Sequence, residues 1–181
     1  PGEPVTVKAT NGTLTSVSLV NPDGKKVKGK LSADKTTWRS AEPLGYGKQY
    51  KLTARGVGED GEKTVKRSTF TTVQPKGQIS VSMSVPEGQT VGVGMPISFQ
   101  FSAPVPNRKA AERALKITTS NDTEGGFYWF NDSWVVWRPK EYWEPGTKVT
   151  VKANIYGKHL GDGMYGMADV ASWMKIGRKL V

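Results

Sequence analysis

Trp38-Arg39 and Trp137-Arg138 begin two stretches that match position for position, 99 residues apart. Six residues beyond each Trp stands a large apolar residue, Leu44 or Trp143, and twelve beyond stands Tyr50 or Val149. Each of the latter heads an alternating run, Tyr50-Lys51-Leu52-Thr53-Ala54 or Val149-Thr150-Val151-Lys152-Ala153. The turn-formers Gly45-Tyr46-Gly47 and Glu144-Pro145-Gly146 fill the interval. A long internal period constrains architecture before any chemistry does, because what one copy folds into the other folds into as well. The chain is therefore expected to be two copies of one β-module in tandem.

The rest of the chain carries the same period-two signal. Val5 to Ala9 alternates, Asn11-Gly12 turns, and Leu14 to Val20 alternates again. Asn21-Pro22-Asp23-Gly24 is a second turn, Val27 to Leu31 a further strand, and Glu59-Asp60-Gly61 closes a hairpin before Thr64 to Val73. Beyond it come Ile79 to Val85, Val91 to Val93, Ile97 to Phe101, Phe127 to Phe130, Trp134 to Trp137 and Ser172 to Ile176. The 21 Gly and 11 Pro have no period and fall between these runs, which is the behaviour of turns. Asn107 reads as an N-cap for one helical stretch, Arg108 to Leu115, with Ala110, Ala111, Ala114 and Leu115 as its apolar stripe. Many short strands in modules of about 100 residues indicate a sandwich. The expected fold is all-β: two tandem immunoglobulin-like β-sandwiches, with one short helix in the second. Gln74-Pro75-Lys76-Gly77 lacks periodicity and holds both strong breakers, giving domains 1–74 and 75–181. So short a junction leaves the modules limited freedom.

Composition excludes much chemistry. With no Cys there is no thiol nucleophile, no Cys-ligated zinc and no iron–sulfur cluster. His159 is the single histidine, in the Gly-rich run Gly157 to Gly163, and no Ser sits in a Gly-x-Ser-x-Gly elbow that it could serve. Asp162 and Asp169 lack the ligand spacing of a calcium loop. Glu141 and Glu144 occupy the turn that the first module fills with Pro43 and Gly45, so they read as solvated rather than as a glycosidase pair. Gly92-Val93-Gly94 lacks the third Gly and the helix of a dinucleotide loop. Asn11, Asn121 and Asn131 begin Asn-x-Ser/Thr triplets, each in a turn. No catalytic, cofactor-binding or metal-binding residue is assigned, and no cofactor is expected. No apolar run approaches the ~18 residues of a membrane span, and no signal sequence follows Pro1, so any anchor is expected upstream.

What remains is surface. The formal net charge is +10 and both halves carry the excess, the first concentrating it in Lys25, Lys26, Lys28 and Lys30. These lysines are the candidate polyanion contact. Ordinary solvated strand faces are the alternative. The segment Phe127 to Trp143 holds four of the six Trp, as a sugar- or base-stacking platform would. Alternation sends Phe127 and Trp129 to one face and Tyr128 and Phe130 to the other, however, and Trp137 matches Trp38, as a repeated core residue should. Nucleic acid has only charge in its favour and is not an expected partner.

The second module contains the blocks Gly92-Val93-Gly94-Met95-Pro96-Ile97, Ala110-Ala111-Glu112, Lys116-Ile117-Thr118-Thr119 and Gly126-Phe127-Tyr128-Trp129. They are followed by Val136-Trp137-Arg138-Pro139, Trp143-Glu144-Pro145-Gly146-Thr147, Tyr156-Gly157 and Leu160 to Gly166. In these blocks and their order it resembles the bacterial immunoglobulin-like domains of actinobacterial, mycobacterial-type peptidoglycan L,D-transpeptidases. The first module agrees at Pro4 to Ala9, Val20 to Gly24 and Leu44-Gly45-Tyr46. The resemblance implies that the chemistry resides in a further domain downstream, where a Cys in a Ser-His-Gly-Cys motif forms 3→3 cross-links. No residue here matches that motif, and Met174-Lys175-Ile176-Gly177 resembles the last strand before that domain. The implied role is a non-catalytic spacer in the cell envelope, with the downstream catalytic domain of the same polypeptide as partner and a membrane reached only through an upstream anchor. Tyr156, Leu160, Met164 and Tyr165 beside the exit strand are the candidate docking residues for that domain. The rival role is a stand-alone binding module for peptidoglycan or associated anionic polymers.

Overall fold

Tyr50 and Phe70 show how alternation becomes a module. They stand opposite one another on neighbouring strands and stack at 5.8 Å between ring centroids. In the computed structural model, which describes residues 1–178, contacts divide the chain into one unit spanning Pro1–Pro75 and another from Lys76 onward.

The first unit is built from β1 (Thr6–Lys8), β2 (Gly12–Val20), β3 (Gly29–Leu31), β4 (Thr37–Ser40), β5 (Gln49–Gly58) and β6 (Lys63–Thr71). They form two antiparallel sheets, β1–β4–β3 and β2–β5–β6. Inward-facing Leu14, Leu19, Trp38, Leu44 and Tyr50 make the core, with Val7, Val17, Leu52 and Phe70 packed on it. A bulge between Leu14 and Ser16 shifts the β2 register by one and keeps both Leu14 and Leu19 inward. The Tyr50 hydroxyl accepts a hydrogen bond from the Gly45 amide at 2.9 Å, tying the turn after Leu44 to the sheet.

The second unit comprises β7 (Gly77–Ile79), β8 (Val81–Met83), β9 (Thr90–Val91), β10 (Ile97–Phe101), α1 (Arg108–Ala114), β11 (Leu115–Thr119), β12 (Gly125–Trp129), β13 (Trp134–Pro139), β14 (Lys148–Ala153), β15 (Met164–Gly166) and β16 (Val170–Ile176). Its main sheets run β12–β13–β10–β8 and β11–β14–β16–β9, with β15 paired in parallel to β7. The repeat survives as register. Trp38 lies opposite Val7 on the middle strand of its sheet, and Trp137 lies opposite Ile97 on the matching strand. Leu44 and Trp143 are both buried, as are Tyr50 and Val149. Gly47 and Gly146, which share the 99-residue spacing, both adopt positive φ, at 58° and 88°, a conformation that other residues reach only with strain. Asn107 caps α1 by accepting from the Ala110 amide at 3.0 Å, and Ala111 and Ala114 bury its inner face.

One expectation needs correcting. Ile79 to Val85 reads as a single strand, yet the chain changes partner at Ser80: β7 pairs with β15 and β8 pairs with β10. Both halves are apolar and alternate, so periodicity has no means of marking a change of partner.

Candidate binding surfaces

The Trp-rich hairpin of β12 and β13 is mostly core. Trp137 and Trp143 are 7% and 1% exposed, their rings 5.4 Å apart, and the Trp143 indole donates to the Met95 carbonyl at 2.7 Å. Trp129 stacks on Phe101 at 5.8 Å and donates to Glu112 at 2.7 Å, while the Arg108 guanidinium lies 5.2 Å over its ring. On the opposite face Tyr128, Phe130 and Trp134 are exposed, Tyr128 by 63%. They lean on one another. Phe130 and Trp134 stack at 4.4 Å, Tyr128 meets Phe130 edge-on at 5.0 Å, and the Trp134 indole donates to Ser98 at 2.7 Å. A flat platform for successive sugar rings needs several ring faces open in one plane. Here the facing surfaces of Phe130 and Trp134 are already occupied, and the Tyr128 ring stands 84° from that of Phe130. The arrangement is a self-satisfied aromatic cluster.

The Gly-rich loop is more ordered than its composition suggests. Leu160 was expected at the surface, but it is fully buried in the core of the second unit, so its side chain offers no contact area. It is drawn in because β15 pairs with β7 and the Leu160 carbonyl accepts from the Asn107 amide at 2.8 Å. Met164 packs against this core and lies next to Gly77, leaving Tyr156, Met164 and Tyr165 half-buried at the surface. The His159 ring sits 5.0 Å from that of Tyr165, and its Nε2 accepts from the Gly163 amide at 3.2 Å. Asp169 accepts from the Tyr156 amide at 2.8 Å. These two polar groups close the loop. Glu144 accepts from the Asn121 side chain at 2.9 Å, and Glu141 is exposed. Among the described residues no cluster of His, Asp or Glu could hold a metal ion.

The lysine run does not form one patch. The Lys25 amide is bound by Asn21 in a turn, and Lys26 bridges to Val20 at the edge of β2. Lys28 lies 3.6 Å from Glu42, and Lys30 stands opposite Arg39 on the other sheet. The first unit also has an open cleft of about 850 Å³ between β1 and the far half of the β5–β6 hairpin. Lys8, Arg55, Lys66 and Arg67 around it are offset by Glu59, Asp60 and Glu62, so it has no strong preference for either sign of charge.

Comparison with known proteins extends across both units. The model of a bacterial Ig domain family matches residues 1–159. The chain is 41% identical over 178 residues to L,D-transpeptidase 2 of Mycobacterium tuberculosis (strain CDC 1551 / Oshkosh), covering 98% of this chain and 43% of that protein. It is 40% identical over 185 residues to L,D-transpeptidase 5 of Mycobacterium tuberculosis (strain ATCC 25618 / H37Rv), covering 100% of this chain and 41% of that protein. A solved structure of the LD transpeptidase LdtMt1 in complex with imipenem is 30% identical over 57% of this chain and 40% of that one, with a TM-score of 0.43. The chain thus spans about two fifths of the length of the curated relatives it matches.

Proposed function

Because this chain belongs to the bacterial Ig domain family, we propose that it is the non-catalytic spacer and positioning region of a cell-wall L,D-transpeptidase that makes 3→3 peptidoglycan cross-links. The observation that carries this reading is one of coverage. Nearly the whole chain aligns with transpeptidases more than twice its length, yet it contains no Cys. Acyl transfer through a covalent intermediate needs an activated nucleophile. In this reading the nucleophile comes from another part of the polypeptide, and these residues govern where it is presented within the envelope.

The surface assigned to the neighbouring catalytic domain is the loop carrying Tyr156, Met164 and Tyr165, with the buried Leu160 holding the loop in shape. Its hydrogen bonds and its β15–β7 pairing make it a preformed contact rather than a floppy one. Amide exchange tests the assignment. In a longer polypeptide that includes the transpeptidase domain, amides from Tyr156 to Tyr165 should exchange more slowly than in this chain alone. Equal rates in the two would reject positioning through this loop.

A further inference from the structure

Charge in this fold is sorted by secondary structure. No strand among the described residues contains an Asp or Glu, whereas Lys and Arg recur in the strands of both units. Strand propensity disfavours Lys and Glu to similar degrees, so it does not account for a one-sided exclusion.

The sorting is sharpest on the β2–β5–β6 sheet, on the face turned away from the core. There β5 presents Lys51 and Arg55, and β6 presents Arg67 and Lys63. Register places Arg67 opposite Thr53 and Lys63 opposite Val57, so the cations alternate between strands in the order Lys51, Arg67, Arg55, Lys63. Each step advances two residues, about 6.8 Å along the strands and about 4.8 Å across them. Lys26 extends the row, because it lies opposite Val20, which in turn lies opposite Lys51. All five are exposed, and none is in an ion pair with a described carboxylate. Ser16, Ser18, Thr53 and Thr69 supply hydroxyls between them. The acidic residues Glu59, Asp60 and Glu62 lie in and beside the hairpin turn where the row ends.

The matching sheet of the second unit repeats the pattern. Lys116 stands opposite Lys152 and Lys148 opposite Lys175, again without a carboxylate on those strands. Like charges set directly opposite one another destabilise a sheet. The second unit carries that cost on this face, whereas the first staggers its cations so that none stands directly opposite another.

We propose that the outer face of β2–β5–β6 is a docking surface for an extended anionic polysaccharide, whose carboxylates meet the cation row and whose hydroxyls meet the Ser and Thr side chains. Arg55 and Arg67 offer forks that match a carboxylate, flanked by lysine point charges. The face has no aromatic side chain on which a nucleic-acid base could stack. Its apolar members are the short Val20, Val57 and Val65, which do not reach into a bilayer. This surface goes beyond the spacer role and stands or falls separately from it, since the 181-residue chain alone is the test molecule.

The experiment titrates this chain against a fluorescein-labelled polygalacturonate oligomer over a series of NaCl concentrations. Binding should be measurable at low salt and weaken linearly on a log–log plot, as ion release requires. The double change Arg55→Glu/Arg67→Glu should lower affinity by about tenfold or more, since two ion contacts become repulsions. Arg55→Gln/Arg67→Gln gives a milder loss in the same direction and serves if the first variant fails to fold by circular dichroism. Lys30→Glu/Arg39→Glu makes the same net-charge change on the opposite sheet and should stay within about twofold. Equal losses in the test and control pairs would reduce the effect to net charge and overturn the proposal. So would absence of low-salt binding, or tighter binding to a mixed-sequence single-stranded DNA oligonucleotide or to phosphatidylserine-containing vesicles than to polygalacturonate.

Discussion

The indole of Trp38 lies over Gly29 so closely that a Cβ on the glycine would overlap the ring. Trp137 and Gly125 repeat the arrangement in the second unit. In each pair the glycine stands opposite the residue two beyond the Trp, Ser40 or Pro139. The module therefore repeats not only its buried Trp but also the bare backbone that makes room for it. Gly125→Ala should destabilise the protein by ~1–3 kcal/mol through overpacking against the ring and the Arg138 carbonyl. Gly126→Ala, with nothing within 4 Å of its Cβ, should change stability by no more than about 0.5 kcal/mol. Urea denaturation of the two variants checks this, and the opposite order would remove the steric argument.

Removing the Trp itself tests the core assignment from the other side. Trp137→Ala deletes a buried ring that packs on Trp143 and should cost ~3–5 kcal/mol in the same denaturation assay. A loss of a few tenths would place the ring at the surface.

The two cores differ in size. Leu14, Leu19, Trp38, Leu44 and Tyr50 are the buried apolar residues of the first unit. The second buries the counterparts of the last three and adds Phe99, Ile155, Met174 and others. Less buried apolar surface leaves less free energy to resist opening. The Leu52 amide, central in β5, should therefore exchange faster under native conditions than that of Val151, its match in β14. The reverse ranking would contradict a stability order set by core size.

Asp34 offers a pH test of the turn that leads into Trp38. Hydrogen bonds from the Ser32 hydroxyl and then from the Thr36 amide hold its carboxyl below the ordinary value of 3.8. A depressed folded-state pKa contributes stability above the unfolded value and loses it as pH falls through the folded one. The group is fully exposed, so the contribution is small. Ser32→Ala should raise the Asp34 midpoint toward 3.8 in an NMR titration, and an unmoved midpoint would contradict the Ser32 contact.

Sequence periodicity carried the architecture because both repeat and strand faces are local properties. Trp38 and Trp137 announce themselves by spacing, and Phe127 and Trp129 point inward by alternation alone. The failures all involve pairing between distant segments. The break at Ser80 and the burial of Leu160 arise from one event, the pairing of β7 with β15. The cation row is hidden for a different reason. The β5–β6 hairpin is legible from its turn, but which of Lys51, Arg55, Lys63 and Arg67 become neighbours depends on its exact register, whereas the conspicuous run from Lys25 to Lys30 is dispersed by the fold.

The most direct test of the positioning role replaces this region with a Gly/Ser linker in a polypeptide that retains the transpeptidase domain. Acylation of the purified enzyme by a carbapenem should proceed at the unaltered rate, because the region supplies no reacting group. The fraction of 3→3 cross-links in the wall of cells relying on that enzyme should fall. Cross-linking maintained at the level of the intact protein would contradict the account.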